Sequence, residues 1–243
     1  MHIHSCLSPC ASLEMSPKNI VKQAVKAGLN GIVVADHNSA LNSEVVAYEC
    51  EKAGISCLYG MEANTFEEAH ILCIFDKISD ALELGNILYD AILPIKFDKD
   101  TYGYQVVLDK DENVIDMPDK LLSAPTTISI NELQEEVLKR NGLFIPSHID
   151  RPYYSVISQL GFLPPSDLYT AVEVSKFCFH VQAKELAGRF HYITNSDAHH
   201  LDDVGLAYTE FDMPDFTVAS IKKAIEENKI HPCFECNIRG DLL

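Results

Sequence analysis

Basic residues are scarce in this chain: 19 Lys and Arg stand against 36 Asp and Glu, a formal net charge of -17. A protein that coats long nucleic acid needs a basic footprint to neutralise phosphates, so this balance argues against that role and favours a small partner. A phosphorylated substrate stays open, because bound metal ions add positive charge that a residue count omits. Long apolar runs are also missing. The longest are strand-sized, and none reads as a membrane span. The opening Met1-His2-Ile3-His4 has neither the basic start nor the apolar run of a secretory signal. Eight cysteines without such a signal read as reduced thiols, and a cytoplasmic setting is expected. Gly and Pro number only 11 each, whereas 47% of the chain is hydrophobic, which excludes bulk disorder and leaves material for a packed core. The sequence carries no repeat and no low-complexity tract, and its 243 residues suit one domain, 1–243.

What is present alternates. Short Ile- and Val-rich runs fall at 31–35, 55–59, 70–75, 143–146, 171–174 and 192–194, continuous as strands buried on both faces should be. Between them lie amphipathic stretches with recognisable starts. Ser16-Pro17 supplies an N-cap and a proline at the first helical position, Ile20, Val21, Ala24, Val25 and Ala27 form the predicted inner face, and Gly28 closes the helix. Ser129 and Glu132 form a capping box ahead of a helix that ends at Asn141-Gly142. Repeated strand–helix units predict right-handed crossovers and a parallel sheet, open or closed, in an α/β fold. The charged stretch from about 97 to 127, with Tyr102-Gly103-Tyr104, breaks this rhythm and is expected to be an insertion or hairpin over one end.

Six strand-associated segments each deliver a metal-ligand type of side chain. His2 and His4 share one face of an extended segment, so both imidazoles can grip one ion. Asp36-His37 ends the run at 31–35, Glu62 follows that at 55–59, His70 opens the run at 70–75, His148 follows that at 143–146, and Asp197-Ala198-His199 repeats the i, i+2 spacing. Each has a bland reading alone, a helix cap for Asp36 or a core histidine for His70. Together they converge on the rim where parallel α/β folds build their sites. Imidazole and carboxylate without thiolate suit Zn²⁺, Mn²⁺ or Fe²⁺, and the surplus of ligands implies two or three ions.

The ordered set His2-x-His4, Asp36-His37, Gly60-x-Glu62, His70, His148-x-Asp150-Arg151-Pro152 and Ser196-Asp197-Ala198-His199 resembles the PHP family, named for polymerase and histidinol phosphatase. The resemblance spans residues 2–199 and implies a distorted (β/α)₇ TIM-like barrel that hydrolyses phosphoesters through a hydroxide bridging two ions. It implies a first ion on His2, His4, Glu62 and Asp197, and a second on Glu62, His70 and His148. A third would rest on His37 and His199, with an acidic residue from the loop after the His-x-His motif. Two departures stand out. Only Met1 precedes the motif, where the family carries a longer strand. The loop 7–15 lacks the usual aspartate and offers only Glu14.

In this reading Glu62 and Asp197 act first as ligands, Arg151 orients the phosphate, and His199 or His37 assists the leaving oxygen. The expected substrate is a small phosphomonoester, nucleotide or short oligonucleotide, with no long duplex and no membrane. Histidinol phosphate, or a non-catalytic metal-binding role, is the alternative. Outside the set, Arg151 could instead pair with Asp150 at the surface. Cys233-x-x-Cys236 reads as a buried thiol pair over half a zinc site, Cys6 and Cys10 as packing residues, and Tyr102 and Tyr104 as hairpin packing over base stacking.

Overall fold

The computed structural model describes residues 1–165 and 169–234. Helix α1 (Pro17–Lys26) leads into β1 (Gly31–His37), α2 (Ser43–Ala53), β2 (Ser56–Asn64) and β3 (His70–Phe75). Then come α3 (Ile78–Ala91), α4 (Lys99–Tyr102), β4 (Val107–Leu108), β5 (Val114–Asp116), α5 (Ile130–Lys139) and β6 (Leu143–Pro146). The remainder is α6 (Val156–Leu160), β7 (Val172–Val174), α7 (His180–Ala187), β8 (Tyr192–Thr194), β9 (Tyr208–Phe211), α8 (Val218–Glu226) and β10 (Ile230–Cys233).

The helix starts follow their caps. The Ser16 side chain accepts from Asn19 N–H with Pro17 at the first position, and Ser129 and Glu132 exchange both capping-box bonds. In α1, Ile20, Val21 and Ala24 are buried, whereas Val25 and Ala27 face solvent. The expected inner face was drawn too wide, since Val25 lies a full 100° beyond Ala24.

A four-stranded sheet runs in the order β1-β2-β3-β6. Its strands bury both faces with period two. Val33, Ala35, Leu72, Ile74, Leu143 and Ile145 point into one apolar cluster with α8, while Ile71, Cys73, Phe75 and Phe144 pack against α3 and α5. Ile32 and Val34 meet α1 and α2. The all-parallel expectation fails at β3, which is antiparallel to both β2 and β6, whereas β1 and β2 are parallel. Only residues 65–69 separate β2 from β3, with Thr65 N–H donating to Ala69 O at 3.1 Å. That is a hairpin; a parallel return needs a crossover of a dozen residues or more.

The described residues do not close the sheet into the expected (β/α)₇ barrel. Pairs β7-β8, β9-β10 and β4-β5 stand as separate two-stranded sheets. Strands β6, β7 and β8 have only three or four residues each. Isolated contacts bridge the gaps: Ile149 N–H to Glu173 O at 2.8 Å, His4 N–H to Ala198 O at 2.9 Å, and Ala35 N–H to Ile3 O at 2.8 Å. The stretch 97–127 carries α4 and the β4-β5 hairpin, and its Val107, Leu121, Leu122 and Ala124 pack on Leu7. No helix of the described residues is long and apolar enough to cross a membrane, and all their cysteines carry free thiols. Cys236 lies outside the described residues.

Candidate metal centre

Glu62 is the hub of the site. It lies near the carboxyl end of β2 and is buried to 1% exposure. Its Oε1 lies 3.1 Å from His148 Nε2, 3.2 Å from His70 Nδ1 and 3.3 Å from His2 Nε2. Its Oε2 lies 3.3 Å from His37 Nδ1 and 3.4 Å from His4 Nε2. The hairpin explains the delivery: β3 runs antiparallel, so its first residue, His70, reaches the end where the last residues of β1 and β2 also lie. Asp197 adds a second carboxylate, with Oδ1 3.2 Å from His4 Nε2 and 3.5 Å from His2 Nε2.

Surrounding groups fix the histidine tautomers. The Glu173 carboxylate accepts from His2 Nδ1–H at 2.9 Å and from Asn195 Nδ2 at 3.0 Å, which leaves His2 Nε2 as the nitrogen facing the cluster. Ser8 Oγ donates to Asp36 at 2.6 Å, so it must accept from His4 Nδ1–H at 3.0 Å, and His4 Nε2 faces inward likewise. Asp36 also accepts from the Ser5 amide and hydroxyl at 2.7 and 2.6 Å, which pins the loop after the His-x-His motif. Such partners orient ligands and raise their basicity.

The electrostatics are those of a site short of positive charge. Burial would raise the Glu62 and Asp197 carboxyls, but the surrounding imidazoles, His70 and His2 for Glu62 and His2 and His4 for Asp197, hold both well below the usual range. Burial would lower His2 and His4; the carboxylates prevail, lifting His2 well above its ordinary value and His4 to about 9. Burial and neighbouring imidazoles push His37 and His70 down and His199 to about 4. Burial beside Glu62 and Asp197 raises the Cys10 thiol.

A divalent cation fits this donor set. His37 Nδ1, His70 Nδ1 and Asp197 Oδ1 are buried without a hydrogen-bond partner. Such an atom ordinarily costs about 1–3 kcal/mol. Three groups bring ligand atoms within 4.8 Å of one another: His2, His4 and Asp197; His37, Glu62 and His70; and His4, Cys10, His37 and His199. His148 and Asp197 both take positive φ, 29° and 44°, an uncommon backbone for such residues that aims them into the site.

His2, His4, His37, Glu62, His70, His148, Asp197 and His199 thus come together. Glu14 does not: it is exposed on the far part of its loop, and Cys10 stands in the cluster instead. Arg151 pairs with Asp197 Oδ2 at 3.0 Å rather than with Asp150, whose carboxylate accepts from the Ser175 amide and hydroxyl. Tyr102 and Tyr104 are not among the residues that line the cavity at the cluster, and Tyr104 lies beneath the Lys99 ammonium. An open cavity of about 330 Å³ exposes Cys10, His37, Glu62, His70, Arg151 and His199, and Tyr154 stacks on the His70 ring at 4.8 Å. Sequence reasoning missed Glu173 and Ser8. A carboxylate inside the apolar run Ala171-Val172-Glu173-Val174 was the available signal for the first.

Residues 1–150 match the family model described as PHP domain, and residues 181–230 match that described as PHP-associated. DNA polymerase III PolC-type of Listeria monocytogenes is 28% identical over 153 residues, 57% of this chain and 10% of that protein. This chain thus spans only a small part of that relative. The lesion-specific endonuclease PfuEndoQ from Pyrococcus furiosus shares the fold with a TM-score of 0.68 at 19% identity, covering 96% of this chain and 56% of its own. Endonuclease Q in complex with a 27-mer duplex bearing an abasic lesion gives 0.66 at 19% identity, covering 93% and 55%. An amidohydrolase from Chromobacterium violaceum gives 0.59 at 14% identity, covering 95% and 96%. Identities this low speak for the fold. A duplex on one such fold leaves the exclusion of long duplexes without support, since net charge averages over a surface while local charge governs a site.

Proposed function

The chain belongs to the PHP domain family, whose model matches residues 1–150, and from that premise we propose that it is a metal-dependent hydrolase of phosphoesters. The observation that carries this reading is the Glu62 carboxylate within 3.1–3.4 Å of five imidazoles. Two or three ions of the Zn²⁺, Mn²⁺ or Fe²⁺ type would be held there. His2, His4, Glu62 and Asp197 would hold the first, and Glu62, His70 and His148 the second; a third would rest on His37 and His199. Bound there, such ions supply Lewis acidity: they ease the ionisation of water and neutralise charge developing on a phosphoryl group.

The chain's own residues do the rest. Glu62 and Asp197, held ionised, keep the negative charge that makes the cation set bind. Arg151 sits at the cavity with its guanidinium partly exposed, where its fork can take two phosphate oxygens. His199 donates its Nδ1 proton to Asp197 O at 2.9 Å, so Nε2 is the atom it turns to an ion or to a proton at the cavity rim. The cavity matches a nucleotide-sized group. Tyr153 and Tyr154 at its mouth offer ring faces to a base, which favours a nucleotide or a nucleic-acid end over histidinol phosphate.

A panel of phosphomonoesters, nucleotides and 5′-phosphorylated oligonucleotides, single and duplex, assayed with added Mn²⁺ or Zn²⁺, tests the reading. Turnover on a nucleotide or strand end is expected. Glu62→Gln, which keeps the size and removes the charge, should lower it by at least roughly 100-fold, the upper end of losses from disturbed metal sites. No turnover across the panel with metal bound would leave a non-catalytic metal module.

A further inference from the structure

We propose that Cys10 is a thiolate ligand of the metal site of His37 and His199, beside His4, a site that takes a borderline cation such as Zn²⁺ or Co²⁺ over Mg²⁺ or Ca²⁺. The inference rests on the metal-dependent reading above and deepens it. It gives one of the cation sites a sulfur donor, where a carboxylate from this loop was expected.

Ligand atoms of Cys10, His37 and His199, and of the neighbouring His4, lie within 4.8 Å of one another. The His4 ring centroid is 4.6 Å from that of His37 and 4.4 Å from that of His199. His199 Nδ1 is taken by the Asp197 carbonyl, so its Nε2 is the donor left for an ion. His37 is 5% exposed and its Nδ1 has no partner. The loop is tethered where it must be: Ser12 N–H donates to the His199 carbonyl at 2.9 Å, and Ala11 N–H to Ser8 O at 3.0 Å. The sole acidic residue of the loop, Glu14, is exposed, and its backbone carbonyl is bound by Asn19. Cys10 lines the same cavity as His37 and His199.

Mixed thiolate and imidazole donors select Zn²⁺-like ions, whereas Mg²⁺ and Ca²⁺ take oxygen. On binding, the S–H proton leaves to solvent and the sulfur lone pair forms the bond to the cation. A coordinated sulfur then no longer reacts freely with an alkylating agent.

The test uses the full chain stripped by chelator and titrated with Co²⁺ alone. The wild type should show the near-ultraviolet sulfur-to-cobalt charge-transfer absorption, and Cys10→Ser should lose it. Cobalt at that site should weaken by at least roughly 10- to 100-fold, since even losing an outer partner of a ligand costs that much. Zn²⁺ should slow iodoacetamide labelling of Cys10, read by peptide mass. Cobalt bound without that absorption, equally in wild type and Cys10→Ser, would overturn the thiolate site and leave the phosphoesterase reading standing. The absorption without turnover on any phosphoester upholds the site and sinks that reading; no cobalt bound at all sinks both.

Discussion

Glu173 lies outside the cavity, yet it holds His2 through two carboxylate contacts and takes a bond from Asn195. Glu173→Gln keeps the volume and removes the charge, so His2 loses part of its orienting partner. Metal affinity in a titration should fall by roughly 10- to 100-fold, with the fold retained by circular dichroism; unchanged affinity would mean that His2 is set by packing alone. Arg151 makes a different prediction. As a phosphate clamp, both Arg151→Lys and Arg151→Ala should lower kcat/KM by roughly 10- to 150-fold, about 1.5–3 kcal/mol, with metal content intact. If its role is only to steady Asp197, metal content will fall with the rate. These residues differ in how openly the sequence carries them. His2 and His4 announce themselves by spacing on extended backbone, and Asp197 by its spacing to His199. Cys10 and Ser8 do not, because their place depends on how a nine-residue loop folds back onto strands far along the chain.

At the scale of elements, the strand runs at 70–75, 143–146 and 192–194 coincide with β3, β6 and β8. Apolar pattern and turn chemistry are local, and they were legible. Direction was not, since a strand's sense depends on its partner. His70 held the one hint: as a ligand that opens its strand, it can meet ligands that close theirs only if that strand runs backwards. The 97–127 stretch shows why insertions resist sequence reading. Gly103, at φ 96°, lies so close to Pro9 that a Cβ there would run into the Pro9 carbonyl. Gly103→Ala should therefore destabilise the protein by about 1–3 kcal/mol in denaturant unfolding and speed alkylation of the neighbouring Cys10. A silent substitution would show that this stretch is free to lift from the loop.

Across the whole molecule, a net charge of -17 must be held together against itself. Added salt screens that repulsion over about 10 Å at 0.1 M, so Tm should rise from low to moderate NaCl. Chelation should lower Tm, because ions that bind only the folded chain stabilise it by mass action; a Tm indifferent to chelator would speak against bound metal. The Ile3 to Ala198 bridge carries a consequence in time. Glu62 and His70 arrive on one hairpin, a contact that nascent chain can make early, whereas His2 and Asp197, 195 residues apart, meet only much later. Closure over so long a loop is slow and entropically late. A ribosome-bound fragment ending before residue 197 would carry the hub carboxylate Glu62 but lack Asp197, so the cluster completes only once residue 197 has emerged.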